Sequence, residues 1–590
     1  MQGANLPRYV LGVNTGPHDG SAALLRDGEL VAMVEQERVS RNRHAFGESP
    51  SRAISECLKH EHITVEQVSE VAVGWDVPRL VEIERGTLNA EEFTSWMLGA
   101  ACHSAITVPP ITYVPHHLAH AASGFYTSGF SDAAILVIDG RGEDVATTIA
   151  VAGPSGIEIV ATWGTDLSLG HFYGWAAEWA GLTMWGTGKL MGLAAYGSPS
   201  QPSPLTTSRS SYSIGGSPPP GGTPLDNYVR LRSRLRALFA RRHFPFGEGH
   251  PDDVMAHADF AASMQHALET AVLHLASIAR RETGLSRLVL TGGVALNCAA
   301  NGRLIRDGVF EDVWIPPVPH DAGVSLGAAL LIEQEPHPMR WTPPRRMCHA
   351  SWAPAPEAPS DPELERLKGC TVTRYGDGAL EETVARLLAE GLIVGWWQGR
   401  AEVGERALGA RSILCDPRSR SALVKTNVAK GREGWRPLAP AVAARRSAAL
   451  FSSEPPPVSA FMLAAWPMTE SAQREVPGAV HVDGSARPQV VSGDASRYGR
   501  LIEAFYERTG VPCVINTSFN VAGEAIVLSA SDALQTFAAS ALDVLVLDDV
   551  IVVKAVPGST TRRLRTARAP SLAFTPWTTS AHVPRVPRGR

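Results

Sequence analysis

The chain has 590 residues, and its 54 basic and 59 acidic side chains give a net charge of −5. This length exceeds what one hydrophobic core organises and predicts roughly two to four domains, while the near-balanced charge disfavours a nucleic-acid partner. Seven cysteines are scattered without a Cys-x-x-Cys pair, which favours reduced thiols in a cytoplasmic protein over disulfides or a zinc site. We find no targeting segment at the N-terminus and no apolar run of about 18 residues, so no membrane partner is expected.

The first 36 residues predict a strand, a loop and a hairpin that turns at Asp27-Gly28. Actin-like nucleotide-binding folds open in the same way, and their loop reaches phosphates. In this chain the loop contains His18 and Asp19. Because the pKa of histidine lies near neutrality, His18 could take a proton from a hydroxyl. The alternative is a loop histidine that only bonds to the backbone.

A histidine pair near residue 118 suggests a metal site. If the segment after Pro115 is helical, His116 and His120 lie on one face with their Cβ atoms about 5–6 Å apart. The apolar run Ala134 to Ile138 predicts a buried strand, and Asp139 follows it at a Gly-rich turn, where α/β proteins bind ligands. The alternative is that one histidine caps or packs and that Asp139 only shapes the turn.

Three later segments add candidate ligand groups. Asp321 precedes a small-residue helix, Val324 to Ile332, and would complete a set of two imidazoles and two carboxylates, which suits Fe(II), Mn(II) or a similar ion better than structural zinc. Gly292 and Gly293 follow a predicted strand, where glycines let the backbone approach a phosphate or base closely. Lys189 lies among glycines and suits an anion, but the Walker spacing is absent, so a P-loop is excluded.

Composition divides the rest of the chain. The low-complexity stretch of about 198–225 is expected to be a mobile insert without a core. Prolines then recur and periodicity disappears before a new α/β pattern, which opens with a helix over 380–390 and a strand over 392–397. The predicted organisation is a first domain over 1–345, a linker over 346–361, a second domain over 362–556 and a basic tail over 557–590.

The second domain concentrates basic, hydroxyl and amide groups on turn-like segments. Arginine clamps phosphate oxygens in pairs and lysine adds a compact charge, so these groups suit a phosphate-rich ligand. The alternative is a solvated charged face, although neighbouring Trp435 and Leu438 favour a partly buried cleft. The candidates are Arg406, Arg411, Lys430, Arg432, Arg436, Arg487, Ser518 and Asn520.

Aromatic residues are frequent between the metal motif and the Lys189 motif of the first domain. This cluster could line an apolar acceptor site, although a core role is more common for such residues. Its members are Trp163, Tyr173, Trp175, Trp179 and Trp185.

Eight motifs occur along the chain in a fixed order. They are Gly-Val-Asn-x4-Asp-Gly-Ser, His-His-Leu-Ala-His-Ala, Ile-Asp-Gly-x-Gly-Glu, Gly-Lys-Leu-Met-Gly-Leu-Ala-x-Tyr-Gly, Thr-Gly-Gly-Val-Ala-Leu-Asn, Arg-Ala-Leu-Gly-x-Arg-Ser-Ile-Leu, Lys-x-Arg-Glu-x-x-Arg-Pro and Asn-Thr-Ser-Phe-Asn. With these motifs the chain resembles, over residues 9–555, the O-carbamoyltransferase family of nodulation-factor, cephamycin and tobramycin biosynthesis. The resemblance implies an α/β protein with an N-terminal actin-like domain, similar to the tRNA threonylcarbamoyl transferase subunit, and a C-terminal YrdC-like domain.

The resemblance also implies a reaction. Carbamoyl phosphate and ATP with Mg²⁺ would give carbamoyl adenylate in the second domain, and the first domain would transfer the carbamoyl group to a hydroxyl of a small molecule. The expected acceptor is a secondary metabolite, either a polyketide or a glycosylated antibiotic, and neutral rather than polycationic. Glu405 and Ala195 depart from the family pattern, which often has proline at both positions, and Arg141 inside the Asp-Gly-x-Gly-Glu turn is harder to interpret.

By motif matching, the residues acquire roles. His18, assisted by Asp19, is the candidate base. The expected ligands of an iron-like metal are His116, His120, Asp139 and Asp321. Residues expected at the nucleotide of the intermediate are Gly140, Lys189, Gly292, Gly293 and Asn297. The eight groups of the second domain would hold carbamoyl phosphate and ATP.

Two other functions remain open from the sequence alone. One is a tRNA threonylcarbamoyl-type transferase, and the other is a non-catalytic actin-like nucleotide-binding protein. The sequence leaves the oligomeric state open between a monomer and a homodimer.

Overall fold

The structure is a computed structural model. It describes residues 6–99, 107–216, 222–240, 251–334, 344–360, 363–364, 367, 369–376, 378–493 and 496–554.

Two five-stranded sheets form the first part of the chain. The strands of the first sheet are β1 Tyr9–Asn14, β2 Ser21–Arg26, β3 Glu29–Glu35, β4 Glu70–Val73 and β5 Ile111–Tyr113. Those of the second are β6 Ala133–Ile138, β7 Val145–Gly153, β8 Gly156–Gly164, β11 Arg287–Thr291 and β12 Asp312–Trp314. The first sheet has the order β3-β2-β1-β4-β5, and the second has the order β12-β11-β6-β7-β8.

The two sheets share one topology. In each, the first strand pairs antiparallel with the second and the second with the third, whereas the fourth and fifth strands continue in parallel. A long crossover is needed for each parallel connection, and helices supply it. The loops after β1 and β6 are therefore equivalent, and they contain His18 and Asp139 respectively. This repeated arrangement is the actin-like fold expected from the sequence.

The second part of the chain is built on one eight-stranded mixed sheet. Its strands are β13 Cys370–Arg374, β14 Val394–Trp397, β15 Arg411–Cys415, β16 Ala439–Ala443, β19 Gln489–Val491, β20 Cys513–Ser518, β21 Val544–Leu547 and β22 Val550–Lys554. They lie in the order β13-β22-β21-β14-β15-β20-β16-β19. Two short hairpins complete the strands, β9 Leu205–Ser208 with β10 Ser211–Ile214 and β17 Trp466–Pro467 with β18 Ser485–Ala486.

The helices of the first part are α1 Gln36–Ser40, α2 Ser51–His60, α3 Val77–Ile83, α4 Ala90–Leu98, α5 His116–Tyr126, α6 Leu169–Trp179, α7 Thr187–Ala194, α8 Pro224–Ala240, α9 Ala258–Thr283, α10 Cys298–Asp307 and α11 Val324–Gln334. Those of the second part are α12 Ala379–Ala389, α13 Arg420–Ala429, α14 Glu470–Glu475, α15 Arg497–Thr509 and α16 Ala530–Ala539. None of the described helices is long and apolar enough to cross a lipid bilayer.

Close packing of α5 against α11 brings the metal motifs together. A Cβ on Gly327 of α11 would lie 1.8 Å from the carbonyl oxygen of Ala119 in α5. Likewise, a Cβ on Gly12 of β1 would lie 1.8 Å from the carbonyl oxygen of Ser325 in α11. Both distances are far below van der Waals contact, so glycine is required at these positions. Because α11 lies this close to α5, Asp321 at its start reaches the histidines of α5.

The expectation that the stretch 198–225 contributes nothing to a core is wrong. Strands β9 and β10 lie inside the stretch 198–225, and the side chains of Leu205, Tyr212 and Ile214 are buried in the main core. The aromatic and branched side chains at these positions bury enough apolar surface to hold the hairpin despite the surrounding serines and prolines. Residues 217–221 and the predicted tail over 557–590 lie outside the described residues.

The segment predicted as a linker has no helix or strand among its described residues, but it packs between the two parts. The carbonyl oxygen of Trp352 accepts hydrogen bonds from Met33 N and from Arg400 Nη2. The domain boundaries at 345, 361 and 556 remain predictions. The six described cysteines carry free thiols, and Cys102 lies outside the described residues.

Candidate active site

Four predicted metal ligands meet in a buried cluster. The Nε2 atoms of His116 and His120 are 3.1 Å apart. Nε2 of His116 lies 3.6 Å from Oδ2 of Asp139 and 3.6 Å from Oδ1 of Asp321. All four ligand atoms lie within 4.8 Å of one another. Ligands about 2.1 Å from one divalent ion are roughly 3.0–3.4 Å apart at neighbouring positions, so this spacing fits a single metal ion.

Surrounding groups fix the orientation of each ligand. Nδ1 of His116 donates to the carbonyl oxygen of Gly74 at 3.1 Å, which directs Nε2 into the cluster. The ring of Trp75 lies 3.9 Å from that of His116. Oδ1 of Asp139 accepts from Gly293 N at 2.7 Å, so Oδ2 faces the histidines. Ligand histidines in metal sites commonly donate their second ring nitrogen in this manner.

The charges in the cluster are strongly coupled. Burial opposes an imidazolium at His116, but the carboxylates of Asp321 and Asp139 outweigh it and raise the pKa of His116 to about 10. Burial lowers the pKa of His120, despite its contact with Asp321. Burial would raise the pKa of Asp139, yet the imidazoles outweigh it and the pKa falls to about 2. Two ionised carboxylates with two imidazoles are a donor set that suits a divalent cation, and metal binding would displace the proton of His116.

The candidate base lies beside this cluster. Nδ1 of His18 is 2.9 Å from Oδ2 of Asp19 and 3.9 Å from Oδ2 of Asp321. The other oxygen of Asp19 is bonded to Nδ1 of His44 at 2.9 Å. Burial opposes the charge of His18, but Asp19, Asp321 and Asp139 together raise its pKa to about 9. With Nδ1 engaged by Asp19, Nε2 is the nitrogen that can face a substrate.

A cleft of about 440 Å³ lies between the two parts of the chain. The first part contributes Glu37, Arg43, Gly188 and Cys298 to its walls. Of the eight candidates in the second part, seven line it: Arg406, Lys430, Arg432, Arg436, Arg487, Ser518 and Asn520. Lys430 Nζ donates to the carbonyl oxygen and the Oδ1 of Asn520, both at 2.8 Å, and also contacts the Ser518 carbonyl.

Positive charge in the cleft is incompletely neutralised by the protein. Burial and repulsion between neighbouring cations lower the pKa of Lys430 and bring the pKa of Arg432 and of Arg487 to about 9. Three buried nitrogens, Arg406 Nε, Arg432 Nη2 and Arg487 Nε, have no hydrogen-bond partner in the described protein. Buried donors are normally satisfied, so these three nitrogens are available to donate to a ligand in the cleft.

Two residues predicted to bind ligand, Arg411 and Asn297, make their side-chain hydrogen bonds within the protein. Arg411 does not line the cleft, because its guanidinium donates to the carbonyls of Gln398, Gly399 and Leu528 and stacks on Trp397. Asn297 caps α10 through Ala300 N at 3.0 Å and pairs with Gln265, so its side-chain hydrogen bonds are made within the protein.

Lys189 joins the two parts of the chain. Its Nζ donates to Oε1 of Glu433 at 2.7 Å, at the edge of the cleft.

The turns around Asp139 contain the other predicted residues. Gly292 has a φ of +89°, and a Cβ there would lie 2.3 Å from the carbonyl oxygen of Ile138, so glycine is required beside Asp139. Gly140 follows Asp139, and its carbonyl accepts from Ser168 Oγ at 2.6 Å. Arg141 faces Glu84 at 3.6 Å.

Sequence reasoning missed three side chains that connect the two sites. His44 bonds to Asp19, and its Nδ1 lies 4.0 Å from Oε1 of Glu405. Glu405 and Arg43 line the cleft. The metal cluster and the cleft are thus linked through His18, Asp19, His44 and Glu405. The available signal was the segment Ser-Arg-Asn-Arg-His-Ala-Phe-Gly at the end of α1, since polar and aromatic loop residues are frequent at functional sites.

The aromatic cluster is mostly core. Trp163, Tyr173 and Trp175 are buried, whereas Trp185 is 43 % exposed.

Comparison with known proteins decides the family. The family model described as Carbamoyltransferase N-terminus matches residues 9–330, and that described as Carbamoyltransferase C-terminus matches residues 385–554. The chain belongs to the carbamoyltransferase family. Among its relatives, nodulation protein NolNO of Sinorhizobium fredii is 35 % identical over 92 % of this chain and 80 % of its own length. Nodulation protein NolO of Bradyrhizobium diazoefficiens is 36 % identical over 74 % of this chain and 78 % of its own.

The enzyme is therefore an O-carbamoyltransferase, and the non-catalytic alternative is excluded. The predicted α/β class is confirmed, and the two sheets of the first part have the expected actin-like topology. Among solved structures, full-length HypF in the phosphate- and nucleotide-bound form is 16 % identical, with a TM-score of 0.35 over 57 % of this chain and 56 % of that chain.

Proposed function

We propose that this carbamoyltransferase activates carbamoyl phosphate with ATP in the cleft and transfers the carbamoyl group to an alcohol beside the metal cluster. The observation that carries the proposal is the set of buried arginine nitrogens in the cleft that lack partners within the described protein. Arg406, Arg432 and Arg487 have donors available there, and a ligand bearing several phosphates would supply matching hydrogen-bond acceptors.

Activation is written as a balanced reaction. Water releases phosphate from carbamoyl phosphate, the resulting carbamate oxygen attacks the α-phosphorus of ATP, and pyrophosphate leaves. Mg²⁺ would accompany the ATP. The products are carbamoyl adenylate, pyrophosphate and phosphate. A carbamate is a poor electrophile because its nitrogen donates into the carbonyl, and the adenylate supplies the leaving group. The cationic side chains of the cleft stabilise the charge that develops on the phosphates.

Transfer requires a base and a means of stabilising charge. The acceptor oxygen would attack the carbamoyl carbon, AMP would leave, and Nε2 of His18 would take the hydroxyl proton. Asp19 holds the opposite nitrogen of His18, so the ring is oriented for this role. Gly292 and Gly293, whose turn packs against Ile138 and Asp139, would face the nucleotide of the intermediate.

The metal cluster fits a divalent cation such as Fe(II), held by His116, His120, Asp139 and Asp321. When bound, such an ion supplies Lewis acidity toward an oxygen of the carbamoyl adenylate. The cation would also neutralise the two carboxylates and so lower the pKa of His18 toward the range that a base needs.

The acceptor is proposed to be a neutral, hydroxyl-bearing small molecule, either a polyketide or a glycosylated antibiotic. This is supported by the exposed Trp185 near His18 and by the engagement of both Asp19 oxygens with histidines. A polycation would be met instead by several unpaired carboxylates.

Pyrophosphate release tests the activation step without any acceptor. The full-length enzyme should release pyrophosphate from ATP when carbamoyl phosphate is supplied, and should not do so with threonine and bicarbonate, which a threonylcarbamoyl-type enzyme would use. Arg487→Ala should abolish release. Arg418, which pairs with Asp416 outside the cleft, provides the matched control, and Arg418→Ala should leave release unchanged. Release that is independent of carbamoyl phosphate, or equal loss in both variants, would contradict the proposal.

A further inference from the structure

Two exposed aromatic side chains flank the candidate base. Phe46 and Trp185 are 45 % and 43 % exposed, respectively. The ring centroid of Trp185 lies 4.9 Å from that of Phe46 and 4.7 Å from that of His18. Large apolar side chains that remain exposed together next to a reactive group are unusual on a protein surface and indicate a binding site.

The backbone holds both rings in place at a conformational cost. His44 and Ala45, which precede Phe46, have φ of 63° and 44°, a region that non-glycine residues rarely adopt. Gly47 N, which follows, donates to the carbonyl oxygen of Pro17 at 3.0 Å, so the Phe46 loop is tied to the loop of His18.

Trp185 is fixed by an equally tight turn. Thr183 has φ of 62°. A Cβ on Gly186 would lie 1.9 Å from the carbonyl oxygen of Leu182, so only glycine fits there. Each ring therefore extends from a turn whose backbone is held in a sparsely populated conformation.

The polar groups beside the pair favour a neutral ligand. Both oxygens of Asp19 are occupied by the imidazoles of His18 and His44, each at 2.9 Å. Glu405 in turn lies 4.0 Å from His44. These carboxylates thus lie against imidazoles rather than being offered to a polycation.

We propose that Phe46 and Trp185 form the acceptor subsite and bind a neutral pyranose ring, an inference that rests on the proposed carbamoyl transfer. The apolar C–H face of a sugar packs on an aromatic ring, which leaves its equatorial hydroxyls at the ring edge. His18 lies at that edge. One hydroxyl gives its proton to Nε2 of His18 while its oxygen bonds to the carbamoyl carbon, and the bond from that carbon to the phosphate oxygen of AMP breaks.

Ligand-observed saturation-transfer NMR with methyl β-D-glucopyranoside tests the subsite without turnover. The full-length enzyme should transfer saturation mainly to H1, H3 and H5, which share one face of the sugar. Trp185→Ala and Phe46→Ala should each reduce this transfer at least fivefold, and Trp185→Phe should retain most of it. Trp96, which is 39 % exposed on α4, is the matched control, and Trp96→Ala should behave as wild type.

The opposite results would overturn the inference. These are the absence of saturation transfer in the wild type, equal loss in Trp96→Ala and Trp185→Ala, or stronger binding of the polycation kanamycin. Pyrophosphate release separates this failure from failure of the proposed function. If the subsite is as inferred, Trp185→Ala releases pyrophosphate at the wild-type rate, whereas a lowered rate would show that Trp185 acts on activation or folding and would contradict the acceptor role.

Discussion

Replacing Asp139 by asparagine separates the charge of this residue from its packing. The introduced amide would retain an oxygen that accepts the hydrogen bond from Gly293 N, which is 2.7 Å long in the structure. The loop beside β6 should therefore stay anchored. The change removes one of the two carboxylates that lie within 4.8 Å of the histidine nitrogens. The expected loss is in metal affinity rather than in folding.

The magnitude follows from the charges. At an effective dielectric of about 20, two unit charges about 4 Å apart interact by about 4 kcal/mol, and a divalent ion doubles that value. The amide oxygen and water recover part of the loss. We therefore expect Asp139→Asn to weaken the metal affinity by about 4 kcal/mol, or roughly a thousandfold. Because Asp139 is 5 % exposed, solvent screens this loss little.

The assay is competition with a chelator of known affinity under anaerobic conditions, with elemental analysis of the protein. His117→Ala is the matched control. Its Nδ1 bonds to Thr148 Oγ1 at 2.8 Å, outside the ligand set, so this variant should keep its metal. Thermal unfolding should shift by no more than a few degrees in Asp139→Asn. A metal affinity within fivefold of wild type in this variant, or loss of metal in His117→Ala instead, would refute the assigned ligand set.

Three other outcomes are expected. Lys430→Ala should abolish pyrophosphate release while leaving transfer from supplied carbamoyl adenylate largely intact, as measured by mass spectrometry of the product; loss of both activities in a folded protein would contradict the division of roles. The pKa of His116 is raised to about 10, and metal binding requires its neutral form. Metal affinity should therefore rise about tenfold per pH unit between pH 6 and 8, with release of about one proton. A pH-independent affinity would be inconsistent with this. Gly327→Ala would bring a Cβ to 1.8 Å from the Ala119 carbonyl oxygen and so separate α11 from α5. This variant should lose both thermal stability and metal content. Unchanged metal content would argue against helix packing as the means of positioning Asp321.

Local patterns were sufficient for much of the fold and the metal cluster. The spacing of His116 and His120 fixes their common face once the segment is helical, and an apolar strand that ends at Asp139 fixes the position of that carboxylate. Paired glycines after a strand predicted a close approach to a phosphate or base, and this stays a prediction; at Gly292 the structure shows a close approach to the Ile138 carbonyl. In each case the pattern that carries the prediction spans only a few residues.

Features that depend on distant residues were not predictable from one sequence. His44 and Glu405 are separated by more than half of the chain, and only the docking of the two parts brings them together. The role of Arg411 depends on four carbonyl acceptors that the sequence does not reveal. The low-complexity composition of 198–225 hid three apolar side chains that find a neighbouring core.

The most direct test of two chemistries at two sites is the behaviour of metal-free enzyme. The protein is stripped with chelator and then supplied with Mg²⁺, ATP, ¹³C-labelled carbamoyl phosphate and an acceptor alcohol. Pyrophosphate and the labelled products are followed together. The account predicts that pyrophosphate and carbamoyl adenylate form at the rate of the metal-replete enzyme while transfer to the alcohol falls at least a hundredfold, and that Fe(II) restores transfer. Undiminished transfer without the metal, or loss of pyrophosphate release together with transfer, would contradict it.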